Sequence, residues 1–122
     1  MKPSYFVVTT LLLMMLTGCG SKEDKVVIGY CKALEAGKLD EAESYLSKDA
    51  RLVLERAGGK SLLAAAGGQF KQHRGIKEIK ITRKNVAGES ATVEFLYNFK
   101  DGSSYADSFP LVKEDGKWKI SK

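Results

Sequence analysis

Apolar residues fall along the chain in three regimes. From Tyr5 to Leu16 they form a run of twelve residues broken only by Thr9 and Thr10. From Val26 to Phe70 they recur at intervals of three and four. From Ile79 to Leu111 they alternate with polar residues, mostly on odd numbers, and the alternation resumes on the even-numbered Trp118 and Ile120. Intervals of three and four line one face of a helix, and an interval of two lines one face of a sheet. The pattern predicts helices followed by strands. That is an α+β fold, with N-terminal helices packed on an antiparallel sheet of about four strands.

Four helical segments are expected. Val26, Val27, Tyr30, Cys31 and Leu34 share a face, preceded by Ser21 and Asp24, which resemble a capping box, and stopped at Gly37. Leu39, Ala42, Tyr45 and Leu46 line a short second helix with acids in its first turn, where the helix dipole favours them. A third apolar patch, Leu52 to Leu54, ends at Gly58-Gly59. A fourth helix is expected from Leu62 to about His73, with Leu62, Leu63, Ala66 and Phe70 on one side. It contains Gly67-Gly68, and each glycine costs about 0.8–1.0 kcal/mol relative to alanine there. A kink or close packing against the sheet would account for them.

The strands constrain their own turns. Ala91, Val93, Phe95, Tyr97 and Phe99 alternate with polar residues, and Tyr105, Phe109 and Leu111 continue the odd-numbered face. Residues directly opposite one another share a sheet face. Phe99 and Tyr105 therefore require an odd loop, met by three residues, Lys100-Asp101-Gly102, with glycine in the left-handed position. A two-residue turn at Asp115-Gly116 pairs Leu111 with Ile120 and Lys113 with Trp118, and so restores one apolar face. The same dipeptide is expected to make two different turns.

The first apolar run is too short to span a bilayer, which takes roughly 20 residues, and it follows Lys2 as the core of an export signal would. Leu16-Thr17-Gly18-Cys19 closes it and resembles the lipobox of bacterial lipoproteins. The resemblance implies that residues 1–18 are a cleaved signal and that Cys19 becomes a lipidated N-terminal residue. Two or three acyl chains would anchor the protein stably. Residues 19–24 then form the lipidated cysteine and a short linker, and 25–122 the folded domain. Five linker residues reach about 17 Å when extended. By resemblance to enterobacterial sorting signals, Gly20 after the cysteine implies the periplasmic face of an outer membrane. With Cys19 so used, Cys31 has no disulfide partner and is read as a small buried hydrophobe, with a reactive thiol as the sharper alternative.

The formal net charge of +5 is local: Lys71, Arg74, Lys77, Lys80, Arg83 and Lys84 stand against one acid, Glu78, in a window whose own balance equals that of the whole chain. A patch resting on anionic headgroups would use it; a solvated helix end and an edge strand guarded by lysines would look the same in sequence. Nucleic acid is not a partner expected of an exported protein.

Ala36 to Ala42, Ala91-Thr92-Val93 and above all Pro110 to Ile120 resemble small bacterial lipoproteins with a nuclear-transport-factor-2-like domain of unassigned function. The resemblance implies a cone, a curved sheet wrapped around helices with a cavity at its open end. Phe95, Tyr97, Phe99, Tyr105, Phe109 and Leu111 would line that face, as core or as a site for a small apolar ligand. Asp107 falls in phase with them. An acid in an apolar pocket could serve as a general base, with Tyr97 as its partner, in an isomerase or dehydratase; at a strand edge it would simply meet solvent. His73 is the only histidine, near a helix end and without a spaced second ligand, so it reads as a solvated or capping residue. No metal, cofactor or catalytic-triad spacing is present. The expected function is a lipid-anchored envelope domain that binds a small ligand or a protein partner and is not an enzyme, with the isomerase as the alternative.

Overall fold

A computed structural model describes residues 21–121, so the expected export signal and Cys19 lie outside the described residues. The chain folds into helices α1 (Lys22–Ala36), α2 (Leu39–Ser44), α3 (Lys48–Ala57) and α4 (Lys60–Gln72). Strands β1 (Ile76–Ala87), β2 (Ser90–Phe99), β3 (Ser104–Glu114) and β4 (Lys117–Ile120) follow. The strands form one antiparallel sheet in chain order.

The expected cap holds α1: the Ser21 hydroxyl accepts from the Asp24 N–H at 3.2 Å, and the helix stops at Gly37. Because α1 begins at Lys22, residues Lys22 to Asp24 are its first turn and not linker. Val27, Cys31 and Leu34 are buried from this helix. Val27 and Cys31 face a core built on Val93, Phe95, Leu111, Trp118 and Ile120. A second cluster, with Leu34, Ala42, Leu63, Phe70 and Phe99, fills the end of the domain near the close of α4.

α3 departs from expectation. Of the patch Leu52 to Leu54, Leu52 and Val53 stand exposed, and Ala50 is the residue α3 buries. Leu54, the third residue of the patch, packs half-buried against both core clusters, and a cap adds to this hold. Buried Ser47 accepts from the Ala50 N–H at 3.1 Å and donates its own N–H to the Ile120 carbonyl at 2.8 Å, tying the α2–α3 turn to β4. Such a cap contributes about 1 kcal/mol.

Gly67 and Gly68 have different reasons. A Cβ on Gly67 would collide with the Leu34 carbonyl oxygen, so the close approach is between α4 and α1 and not between α4 and the sheet. Gly68 has nothing near it.

Both turns match their parity arguments. Phe99 N–H donates to the Ser103 carbonyl at 2.9 Å across the three-residue loop, and Gly102 takes φ 92°. Asp115 and Gly116, at φ 53° and 77°, make the two-residue turn that pairs Leu111 with Ile120 and Lys113 with Trp118. Positive φ at both central residues fits the right-handed twist of the flanking strands. The departure is in β1, where a register shift between Ile81 and Arg83 reverses the face. Ile79 and Ile81 oppose Tyr97 and Phe95, but beyond the shift Lys84 opposes Val93. Lys84 therefore turns inward, against the simple alternation.

Candidate functional site

The sheet's inner face is solid at its centre and open at one end. Phe95 is 1% exposed and meets Tyr97 and Phe109 at centroid distances of 5.0 and 5.1 Å. Phe109 is half-buried, edge-on to Tyr30 at 5.6 Å. Of the residues expected as core or as a ligand site, Phe95 is therefore core and Phe109 packs half-buried against it. Tyr97, Phe99 and Tyr105 do reach a pocket of about 420 Å³ between the end of α4 and the β2–β3 hairpin.

The floor of this pocket is aromatic. Tyr97 and Phe99 stack at 5.6 Å with 16° between planes, and His73 stacks on Phe99 at 4.7 Å. Phe70 lies 5.2 Å from Tyr97, and Tyr105 lies 5.2 Å from His73. Phe70 of α4 and His73, the residue that caps its C-terminal end, were not expected here. Phe70 was legible only as a helix-face residue. His73 acquires its role from a hairpin turn that is distant in sequence.

That turn fixes the histidine. His73 Nδ1 lies 2.9 Å from Asp101 Oδ2 and 3.2 Å from the Ser103 hydroxyl. Hydrogen bonds from the Ser103 hydroxyl and N–H, then the contact with His73, hold the Asp101 carboxyl down at about 2. Serine, histidine and aspartate thus meet in space, but both partners sit on one ring nitrogen. A nucleophilic triad needs them on opposite nitrogens. The cluster clamps the loop against the helix end.

Asp107 stands at the pocket rim, exposed. It accepts from the Tyr97 hydroxyl at 3.3 Å and from the Ser108 N–H at 2.8 Å. Burial, then the neighbouring Cys31 and Asp107, push the Tyr97 phenol far above its ordinary value. The isomerase reading needs an acid enclosed by apolar walls and a partner able to exchange a proton near neutral pH. Asp107 lacks the enclosure, and Tyr97 keeps its proton. This arrangement is suited to orienting a bound group.

Cys31 lies behind Tyr97, with Sγ 3.9 Å from the hydroxyl, and is fully buried. Burial pushes its thiol up to about 12, and burial likewise takes the neighbouring Tyr30 to about 12. A reactive thiol needs the opposite environment, so the buried-hydrophobe reading fits. Thiol reagents should leave Cys31 unmodified at pH 8 in the folded protein and modify it once denaturant unfolds the chain. The unfolded chain ionises first, from about 9.0 at Cys31 and 10.0 at Tyr30. This part of the stability is complete below about pH 9 and drains away toward pH 12. A urea midpoint that is unchanged between pH 8 and pH 11 would contradict that linkage.

The basic window is divided between two elements. Lys71 lies in α4 and Arg74 just beyond it, while Lys77, Lys80 and Arg83 run along β1, an edge strand of the sheet. Lys84 is engaged elsewhere: its Nζ donates to the Ser21 hydroxyl at 2.7 Å and lies 3.4 Å from Asp24 and 3.6 Å from Glu23. Among the described residues, no group of three His, Cys, Asp or Glu is placed to hold a metal ion. No described helix is long and apolar enough to cross a membrane.

The model of DUF4878, a domain of unknown function, matches residues 17–121. The chain belongs to the DUF4878 family. Solved structures place this DUF4878 domain in the NTF2-like fold. A Campylobacter jejuni protein provisionally described as an NTF2-like transpeptidase superposes with a TM-score of 0.71 at 21% identity, over 84% of this chain and 99% of that one. A de novo designed NTF2 fold protein gives 0.54 at 21% identity, over 84% and 85%. A DUF4783 family protein from Bacteroides ovatus gives 0.53 at 16%, over 76% and 86%. No curated protein matches the sequence. At these identities the likeness is one of fold, and function has to be argued from the site.

Proposed function

We propose that this DUF4878 protein is a lipid-anchored cell-envelope binding domain. Its rim pocket takes an apolar group, either from a small ligand or from a side chain of a protein partner. The observation that carries this reading is the aromatic floor of Phe70, Tyr97, Phe99 and Tyr105, left open to solvent above a filled core. Tyr105 is 51% exposed, a large ring held ready at the surface by its neighbours. Ligand sites commonly combine such apolar walls with a few fixed polar groups. Here Asp107, oriented by Tyr97, is the fixed acceptor, so the favoured ligand carries a donor or a cation next to its apolar body.

The anchor part rests on Cys19 and the apolar run before it. Mass spectrometry of protein purified from membranes should find an N-terminal Cys19 bearing acyl chains, and a Cys19→Ala chain should be stripped from membranes by high salt, which leaves the acylated protein in place.

The pocket part is tested in cells by replacing Tyr105 with a photo-crosslinking phenylalanine. A discrete adduct is expected from position 105. None is expected from position 52, where exposed Leu52 offers an apolar surface without a pocket. Equal labelling at both positions, or adduct at 52 alone, would remove the pocket from the proposal.

A further inference from the structure

The fold gathers a second set of basic residues that lie far apart in sequence. Lys22 and Lys25 come from the first two turns of α1, and Lys117 and Lys119 from β4. With Tyr45 and Trp118 they line a groove of about 540 Å³ between the start of α1, the end of α2 and the β3–β4 hairpin. Lys22, Lys25 and Lys117 are exposed. Lys119 Nζ donates to the Ser44 carbonyl at 2.7 Å, and Lys113 Nζ lies over the Trp118 ring at 5.2 Å.

The groove is electropositive for two further reasons. Lys22 and Lys25 sit at the positive end of the α1 dipole, where cations are ordinarily disfavoured. The acids of the same turn, Glu23 and Asp24, are engaged by Lys84. Among the described residues none of the four groove lysines makes an ion pair. Like charges that converge without counter-charges cost stability unless an external anion answers them.

We infer that this groove is the face that meets anionic phospholipid headgroups, so that the domain is oriented on the bilayer and not merely tethered to it. The inference deepens the proposed anchoring and rests on it for the location of the bilayer. Cys19 stands three residues before Lys22, so the acylated residue can lie no further than about 10 Å from the helix start, from roughly 3.3–3.6 Å per residue. The groove opens beside that point. Juxtamembrane lysines are each attracted to an anionic surface by an amount equivalent to about fivefold in partitioning. The rim pocket lies at the other end of α1, whose 15 residues span about 22 Å. A bilayer on the groove side leaves that pocket facing outward, where a partner can reach it.

Trp118 is the only tryptophan in the chain and lines the groove, so it reports directly. The full-length mature protein, with lipidation of Cys19 verified by mass, is reconstituted in phosphatidylcholine vesicles with or without one third phosphatidylglycerol. A headgroup-attached spin label should quench Trp118 in the anionic vesicles and much less in the neutral ones. Lys22→Gln/Lys25→Gln/Lys117→Gln and raised salt should both abolish the difference, while Lys71→Gln/Arg74→Gln should leave it. A difference that survives the triple substitution, or that is lost with Lys71 and Arg74, would overturn the inference. A Cys19→Ala chain separates the two readings, because the groove alone should still make it float with anionic vesicles, and the triple substitution should lower that binding at least a hundredfold. No flotation by the folded Cys19→Ala chain would sink the groove inference even where the anchor itself is verified.

Discussion

Phe95→Ala should lower the stability of the domain by about 3–5 kcal/mol, the range for deleting a buried aromatic ring. Phe95 is 1% exposed and lies at the centre of β2, opposite Asp107 in register and against Tyr97 and Phe109. Its ring fills the space that a hollow cone would leave open, and the surrounding sheet cannot collapse far into the gap. For a domain of this size the total is about 5–15 kcal/mol, so the variant should melt roughly 20 °C lower, at about 4–8 °C per kcal/mol. Urea and thermal denaturation measure both quantities. Tyr105→Ala is the companion. Its ring is half in solvent, so its removal should cost well under 1 kcal/mol while emptying the rim pocket. A cost at Phe95 no larger than that at Tyr105 would mean that the interior is open and that the pocket extends into it, and the isomerase reading would return.

The second large effect separates two adjacent glycines. Gly67→Ala should destabilise by about 3 kcal/mol, because the new methyl meets the Leu34 carbonyl, a backbone atom that cannot rotate away. Gly68→Ala should stabilise by up to about 1 kcal/mol, the difference in helix propensity, since nothing lies near that position. Opposite signs at neighbouring positions are difficult to obtain from any cause other than the α4–α1 approach. Two changes of the same sign in denaturant melts would refute that packing. The contact matters beyond stability. α4 carries Phe70 and ends at His73, so an α4 pushed away from α1 would also widen the rim pocket.

The sequence was informative wherever the controlling physics is local. Ser21 could be identified as a cap because its partner is three residues away, and Gly37 as a stop because it follows the last apolar residue of the face. The two turns were legible from parity alone. Each joins adjacent strands, and loop length then decides which side chains share a face. Half of the candidate pocket followed from the same alternation: Tyr97, Phe99 and Tyr105 do line it. Phe95 and Phe109 obey the same alternation, yet Phe95 is core and Phe109 packs half-buried against it, since alternation identifies the inner face but not how far the helices cover it.

What escaped the sequence depends on distance or on geometry without a local signal. The second register shift in β1, between Ile81 and Arg83, carries no proline or glycine to announce it, yet it turns Lys84 from the supposed headgroup patch onto the acids of α1. Leu52 and Val53 look like core in the sequence. They stand exposed, while α3 buries Ala50 and packs on the core through Leu54. His73 meets Asp101 and Ser103, 28 and 30 residues away, and no spacing rule links a helix end to a hairpin turn.

By itself, then, the chain's pattern determined the α+β class, the inner and outer faces of β2 to β4 and the form of the last two hairpins, because periodicity and loop length act between neighbours. The convergence of Lys22 with Lys117, the filling of the cone by Phe95 and the placing of an aromatic pocket at its rim were decided only in three dimensions, where packing between elements selects which surfaces are covered and which charges meet.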